Sequence, residues 1–123
     1  MKRLFTAGAL TLAALTVGGA ALADATLEHF QGTIPFPGGA RTFTVPLNRD
    51  THYEFHMHSK SPGARFGLRL FRSGVGLVAE QPANGHEKVE MEYTPVASGT
   101  YFLVVRAETG VGEFKGNLKL DHD

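Results

Sequence analysis

Ten residues, Thr51 to Lys60, read THYEFHMHSK and set His52, Glu54, His56 and His58 at every second position. In an extended strand, residues two apart point the same way and lie roughly 6.5 to 7 Å apart, so His56 and His58 can lean together onto one ion. Glu54, next to His56 in the row, adds a carboxylate oxygen, while His52 lies two strides beyond His56. Imidazole nitrogen with one carboxylate suits zinc or copper. Such binding needs neutral imidazole and weakens below about pH 6. Two imidazoles make half a site, so further ligands must come from a neighbouring strand, with His86, Glu90 and Glu92 as candidates. The row also has a plainer reading: it alternates with Tyr53, Phe55 and Met57, and the opposite face of an apolar stripe must be polar.

A second group with recognition chemistry is Arg65, Arg69 and Arg72 in ARFGLRLFRS, a local basic patch. Guanidinium offers bidentate geometry to a carboxylate or an acidic sugar. Arg69 has the opposite parity to Leu68 and Leu70, which leaves it free to stack on Phe71 or to meet an acid across a sheet. Catalytic patterns are poorer. There is no Gly-x-Ser-x-Gly and no serine placed beside a histidine in a way that hints at nucleophilic activation, and Glu90 and Glu92 alternate with Val89 and Met91 as a solvated strand face would. The chain has no cysteine, which excludes disulfides, thiol catalysis and thiolate metal sites together.

The elements that must carry these residues read as strands. RTFTVPL puts Phe43 and Val45 on one side and Thr42 and Thr44 on the other; HEKVEMEYTP and EFKGNLKL alternate in the same way. FGLRLF and TYFLVVR are apolar at both parities, as central or doubly covered strands are. Turn residues separate the runs: Pro35 to Gly39, Asn48 to Asp50, Ser61 to Gly63, Pro82 to Gly85, and Ser98-Gly99. Gly110 and Gly112 flank Val111 in what reads as the last hairpin, and Gly116 inside a strand signals a bulge or a close backbone approach. The expectation is an all-β fold of about eight strands, an antiparallel β-sandwich of jelly-roll type.

Met1, Lys2 and Arg3 followed by an apolar, small-residue run ending Ala21-Leu22-Ala23 predict a signal peptide over residues 1–23. Removing it leaves one domain, residues 24–123, that is periplasmic or secreted and not inserted in a membrane. The whole chain balances 12 basic and 12 acidic residues; without Lys2 and Arg3 the balance is 10 to 12. A slightly acidic domain is a poor nucleic-acid binder.

From YTPVASGTYFLVVRAETGVGEFKGNLKL onward to Leu120, the chain resembles the closing half of the bacterial pre-peptidase C-terminal domain, with TFTVPLNRDTHYEFHMHS and ARFGLRLFRSGVGLVAEQPANGHEKVEMEYTP in matching order before it. The resemblance spans about Phe30 to Leu120. It implies a small β-sandwich with a binding or accessory role and no chemistry of its own, in a family often appended to secreted peptidases. Many members carry an acidic residue just before the Leu-x-Leu of the middle strand, where this chain has Gly67. Three functions follow in order of expectation. The first is an exported, non-enzymatic binding module without cofactor, holding a protein or polysaccharide. The second is a zinc or copper protein using the strand histidines. The third is a small secreted hydrolase.

Overall fold

The computed structural model describes residues 26–120, so the signal peptide and its cleavage point lie outside the described residues. Eight strands follow in chain order: β1 (Thr26–Ile34), β2 (Ala40–Leu47), β3 (Tyr53–Ser59), β4 (Arg65–Arg72), β5 (Gly76–Gln81), β6 (Lys88–Tyr93), β7 (Gly99–Thr109) and β8 (Gly112–Leu120). They form two four-stranded sheets in the orders β1-β8-β3-β6 and β2-β7-β4-β5, all pairs antiparallel. The expected all-β sandwich is the observed fold. Among the described residues no helix is long and apolar enough to cross a membrane.

Alternation decides which face of each strand enters the core. Tyr53, Phe55 and Met57 of β3 are buried, as are Val89 and Met91 of β6, Phe114 and Leu118 of β8, and Val45 and Leu47 of β2. The runs that are apolar at both parities, β4 and β7, turn out to be the two inner strands of the second sheet. β5 is irregular in burial, and neither it nor β1 is singled out by alternation in the sequence. Of the consecutive strands only β4 and β5 pair as a hairpin; every other connection carries the chain to the opposite sheet. The segment around Gly110 and Gly112 is therefore not a hairpin but a crossing between sheets. Gly110 has φ of 73°, and a Cβ there would sit 2.9 Å from the Gly63 carbonyl oxygen, so both conformation and space require glycine.

Gly116 answers its own sequence question. The ladder runs through it without a shift, with Phe30 opposite on one side and Met57 on the other, so it is a close approach and not a bulge. The Phe30 ring lies over it in place of a side chain.

Tyrosines pin the sandwich ends. The Asn48 N–H donates to the Tyr53 hydroxyl at 2.8 Å, and the Tyr101 hydroxyl donates to the Ala97 carbonyl at 2.7 Å. Burial raises the Tyr53 pKa above its ordinary 10.0, and burial does the same for Tyr93, helped by neighbouring Tyr101. A phenol whose pKa is raised by folding contributes stability that is complete below the unfolded pKa and is lost as pH rises through the folded one. The urea midpoint should accordingly fall between about pH 9 and 11. It should fall less steeply for Tyr53→Phe, which has no such proton to lose.

Candidate functional site

β3 is an inner strand, so its outward row is flanked on both sides. His56 lies opposite Glu90 of β6 and Asn117 of β8; Glu54 lies opposite Glu92 and Lys119; His58 lies opposite Lys88 and Lys115. The strand order thus brings the two β6 carboxylates beside the histidine row. Glu54 and Glu92 face each other directly, a like-charge pair that destabilises a sheet unless cations intervene. His52 stands beside Glu92 and His56 beside Glu54.

His52 points Nε2 at Glu92 Oε1, 3.0 Å away, and Nδ1 at the Thr94 hydroxyl, 2.8 Å away. His56 points Nε2 at Glu54 Oε1, 2.8 Å, and Nδ1 at Glu90 Oε2, 3.3 Å. A neutral imidazole has one N–H, so it donates to only one of two carboxylates; satisfying both requires a second proton. The atoms of His52, Glu54 and Glu92 that can ligate all lie within 4.8 Å of one another. His56 and Glu54 are about three-quarters covered, while Glu90 and Glu92 are mostly exposed.

The His56–His58 pair that the spacing favours is not what the fold assembles. Both nitrogens of His56 are turned to carboxylates, and His58 sits between two lysine positions. His52, two strides from His56, joins Glu54 and Glu92 instead. Exposed His86 lies between β5 and β6, its backbone N–H bonded to Asn84 Oδ1 at 2.9 Å. Thr94 carries no motif in the sequence, and only the folded chain shows its contact with His52. On β8, Asn117 presents a buried Oδ1 with no hydrogen-bond partner beside His56.

The outer face of the second sheet has a different character. Phe71, Phe102 and Val104 point outward from β4 and β7 and are half-buried, and Leu77 of β5 is 48% exposed. Register places them in rows, Thr44-Phe102-Phe71-Leu77 and Thr42-Val104-Arg69-Glu80, reading across β2, β7, β4 and β5. The arginines do not converge. Arg69 pairs with Glu80 across the sheet at 3.4 Å, as its parity anticipates; Arg65 bonds the Ala64 and Gly85 carbonyls; Arg72 has the opposite parity and lies near Tyr93. The space over Gly67 is filled by the carboxylate of Glu108 from β7, which accepts the Ala83 N–H at 3.2 Å. An acid does stand at this place, supplied by the neighbouring strand.

No family model matches the chain, and no curated relative does. Among solved structures it is similar to the pre-peptidase C-terminal domain of a collagenase from Bacillus anthracis, with a TM-score of 0.60 and 17% identity over 75% of this chain and 88% of that one. At that identity the likeness is one of architecture: the chain has a fold like that of a pre-peptidase C-terminal domain, built from a largely different sequence.

Proposed function

We propose that this chain is an exported, non-enzymatic binding module that holds a protein partner on the outer face of β2-β7-β4-β5. The observation that carries the reading is the unpartnered row Phe102-Phe71-Leu77 with Val104 beside it, on the two inner strands of that sheet. Phenylalanine, valine and leucine ringed by an Arg69–Glu80 pair and Arg106 have the make-up of a protein interface, apolar at the centre and charged at the rim. A polysaccharide would call for more hydrogen-bonding groups among the rings. The fold neighbour, a domain of a collagenase, supports an accessory role, and the amino-terminal run of residues 1–23 supports export.

The exposure of Glu90 and Glu92, which have 68% and 65% of their side chains in water, supports a non-enzymatic role, since a reacting carboxylate gains from a site that excludes water. The test is retention of envelope proteins and, separately, of envelope polysaccharides by immobilised wild type, a Phe71→Thr/Phe102→Thr variant and a Glu54→Gln/Glu92→Gln variant. A protein held by wild type and by the carboxylate variant, and held at least about 10-fold more weakly by the phenylalanine variant, supports the reading. Equal retention by all three, or retention of polysaccharide alone, overturns it.

A further inference from the structure

The outward face of the other sheet carries a second, independent site. We infer that His52, Glu54 and Glu92 bind one divalent transition ion, zinc above all. Three observations converge on it. The ligand atoms already lie within 4.8 Å of one another, with His52 Nε2 and Glu92 Oε1 3.0 Å apart, while tetrahedral zinc with bonds of about 2.0 to 2.2 Å needs its ligand atoms about 3.4 Å apart. Each of the less exposed ligands is oriented by a further group: Thr94 holds Nδ1 of His52 at 2.8 Å, which leaves Nε2 aimed at the carboxylates, and His56 holds Oε1 of Glu54 at 2.8 Å. That is the supporting shell a metal ligand needs to keep its tautomer and angle. Finally, Glu54 and Glu92 lie directly opposite each other, and the sheet gains from any cation placed between them.

The donor set chooses the metal. One imidazole nitrogen with two carboxylates, completed by water, suits a borderline ion such as zinc; calcium takes six to eight oxygens and makes poor use of a nitrogen. The ion would take its place between His52 Nε2 and Glu92 Oε1, which stand 3.0 Å apart. Other titratable groups facing the site are His56 and Glu90 alongside it and Lys119 of β8 opposite Glu54. Lys119 repels the ion and sets the affinity below that of a site with carboxylates alone. Glu54 is thereby shared between the ion and His56, and His56 is a positioning residue.

The experiment is a zinc titration of the purified protein against a chromophoric chelator, repeated with His52→Ala, Glu92→Gln and His58→Ala, with calcium as a competitor and circular dichroism to confirm that each variant keeps its strands. The expected result is one zinc per chain, at least about 10-fold weaker in His52→Ala and Glu92→Gln, within about 2-fold of wild type in His58→Ala, and not displaced by calcium. Zinc binding equal in wild type and His52→Ala, or lost in His58→Ala while kept in His52→Ala, overturns the assignment, as does displacement by calcium.

Discussion

Replacing Phe114 by alanine should lower stability by about 3 to 5 kcal/mol, the range for losing a buried phenylalanine ring with its cavity left behind. Phe114 enters the core from β8 with no exposed surface, and its ring centroid stands 6.5 Å from Phe30, 6.0 Å from Phe43 and 5.4 Å from Phe66. Phe43 and Phe66 belong to the other sheet, so this one ring joins the two layers. A domain of this size has about 5 to 15 kcal/mol in total, and the loss corresponds to a fall in melting temperature of at least about 12 °C. Truncating Phe71, whose ring faces outward, should cost far less. Thermal and urea unfolding of the two variants checks the contrast. A loss below about 1 kcal/mol at Phe114 means that its ring does not lie between sheets.

The second large effect is expected at Gly116. A methyl group there would press on the Phe30 ring and come within 2.5 Å of the His56 carbonyl oxygen. The ring could turn aside at the cost of its own packing, but the backbone oxygen could not. Gly116→Ala should therefore cost about 2 to 3 kcal/mol, the usual scale for overpacking a filled core. Gly32 makes a useful comparison, because its added Cβ would meet side chains alone, the Phe114 ring at 3.2 Å and Arg41 Cγ at 3.6 Å. Gly32→Ala should cost clearly less. Equal costs at the two positions, measured by urea unfolding, would show that the backbone approach at Gly116 is not the limiting contact.

Much of this architecture can be read from local pattern. Alternation at Phe43-Val45, Tyr53-Phe55-Met57, Val89-Met91 and Phe114-Leu118 names the inward side of four strands, because one layer of core needs only one apolar face per strand. Partner choice is not local. Ser61-Pro62-Gly63 has the length and chemistry of a hairpin turn, yet it carries the chain from β3 into the other sheet. There Ser61 Oγ accepts the Glu113 N–H at 2.9 Å, so β8 adds a distant anchor to a turn that the Ala64 N–H closes locally on the Ser61 carbonyl at 3.2 Å. The Gly110 to Gly112 segment misleads in the same way.

The candidate sites show the same division. The histidine row is evident in the sequence, but spacing along one strand favours His56 with His58, while the fold gathers His52 and Glu54 with Glu92 across a strand boundary. Nothing in the residues from Lys88 to Tyr93 announces that they will pair with β3. Phe102 and Val104 look like core because they are apolar, and half-exposed apolar residues at a sheet's outer face cannot be told from buried ones by composition. Arg69 is a favourable case: its parity requires an outward side chain, and Glu80 meets it there.

The face that carries His52, Glu54 and Glu92 depends on β3 lying between β8 and β6, two strands that are distant from it in sequence. Backbone cross-strand NOEs in the isotope-labelled protein report that arrangement without any ligand. The account predicts contacts from His56 to both Glu90 and Asn117, and from Glu54 to both Glu92 and Lys119. Contacts instead from β3 to β2 or β4, its neighbours along the chain, would contradict it.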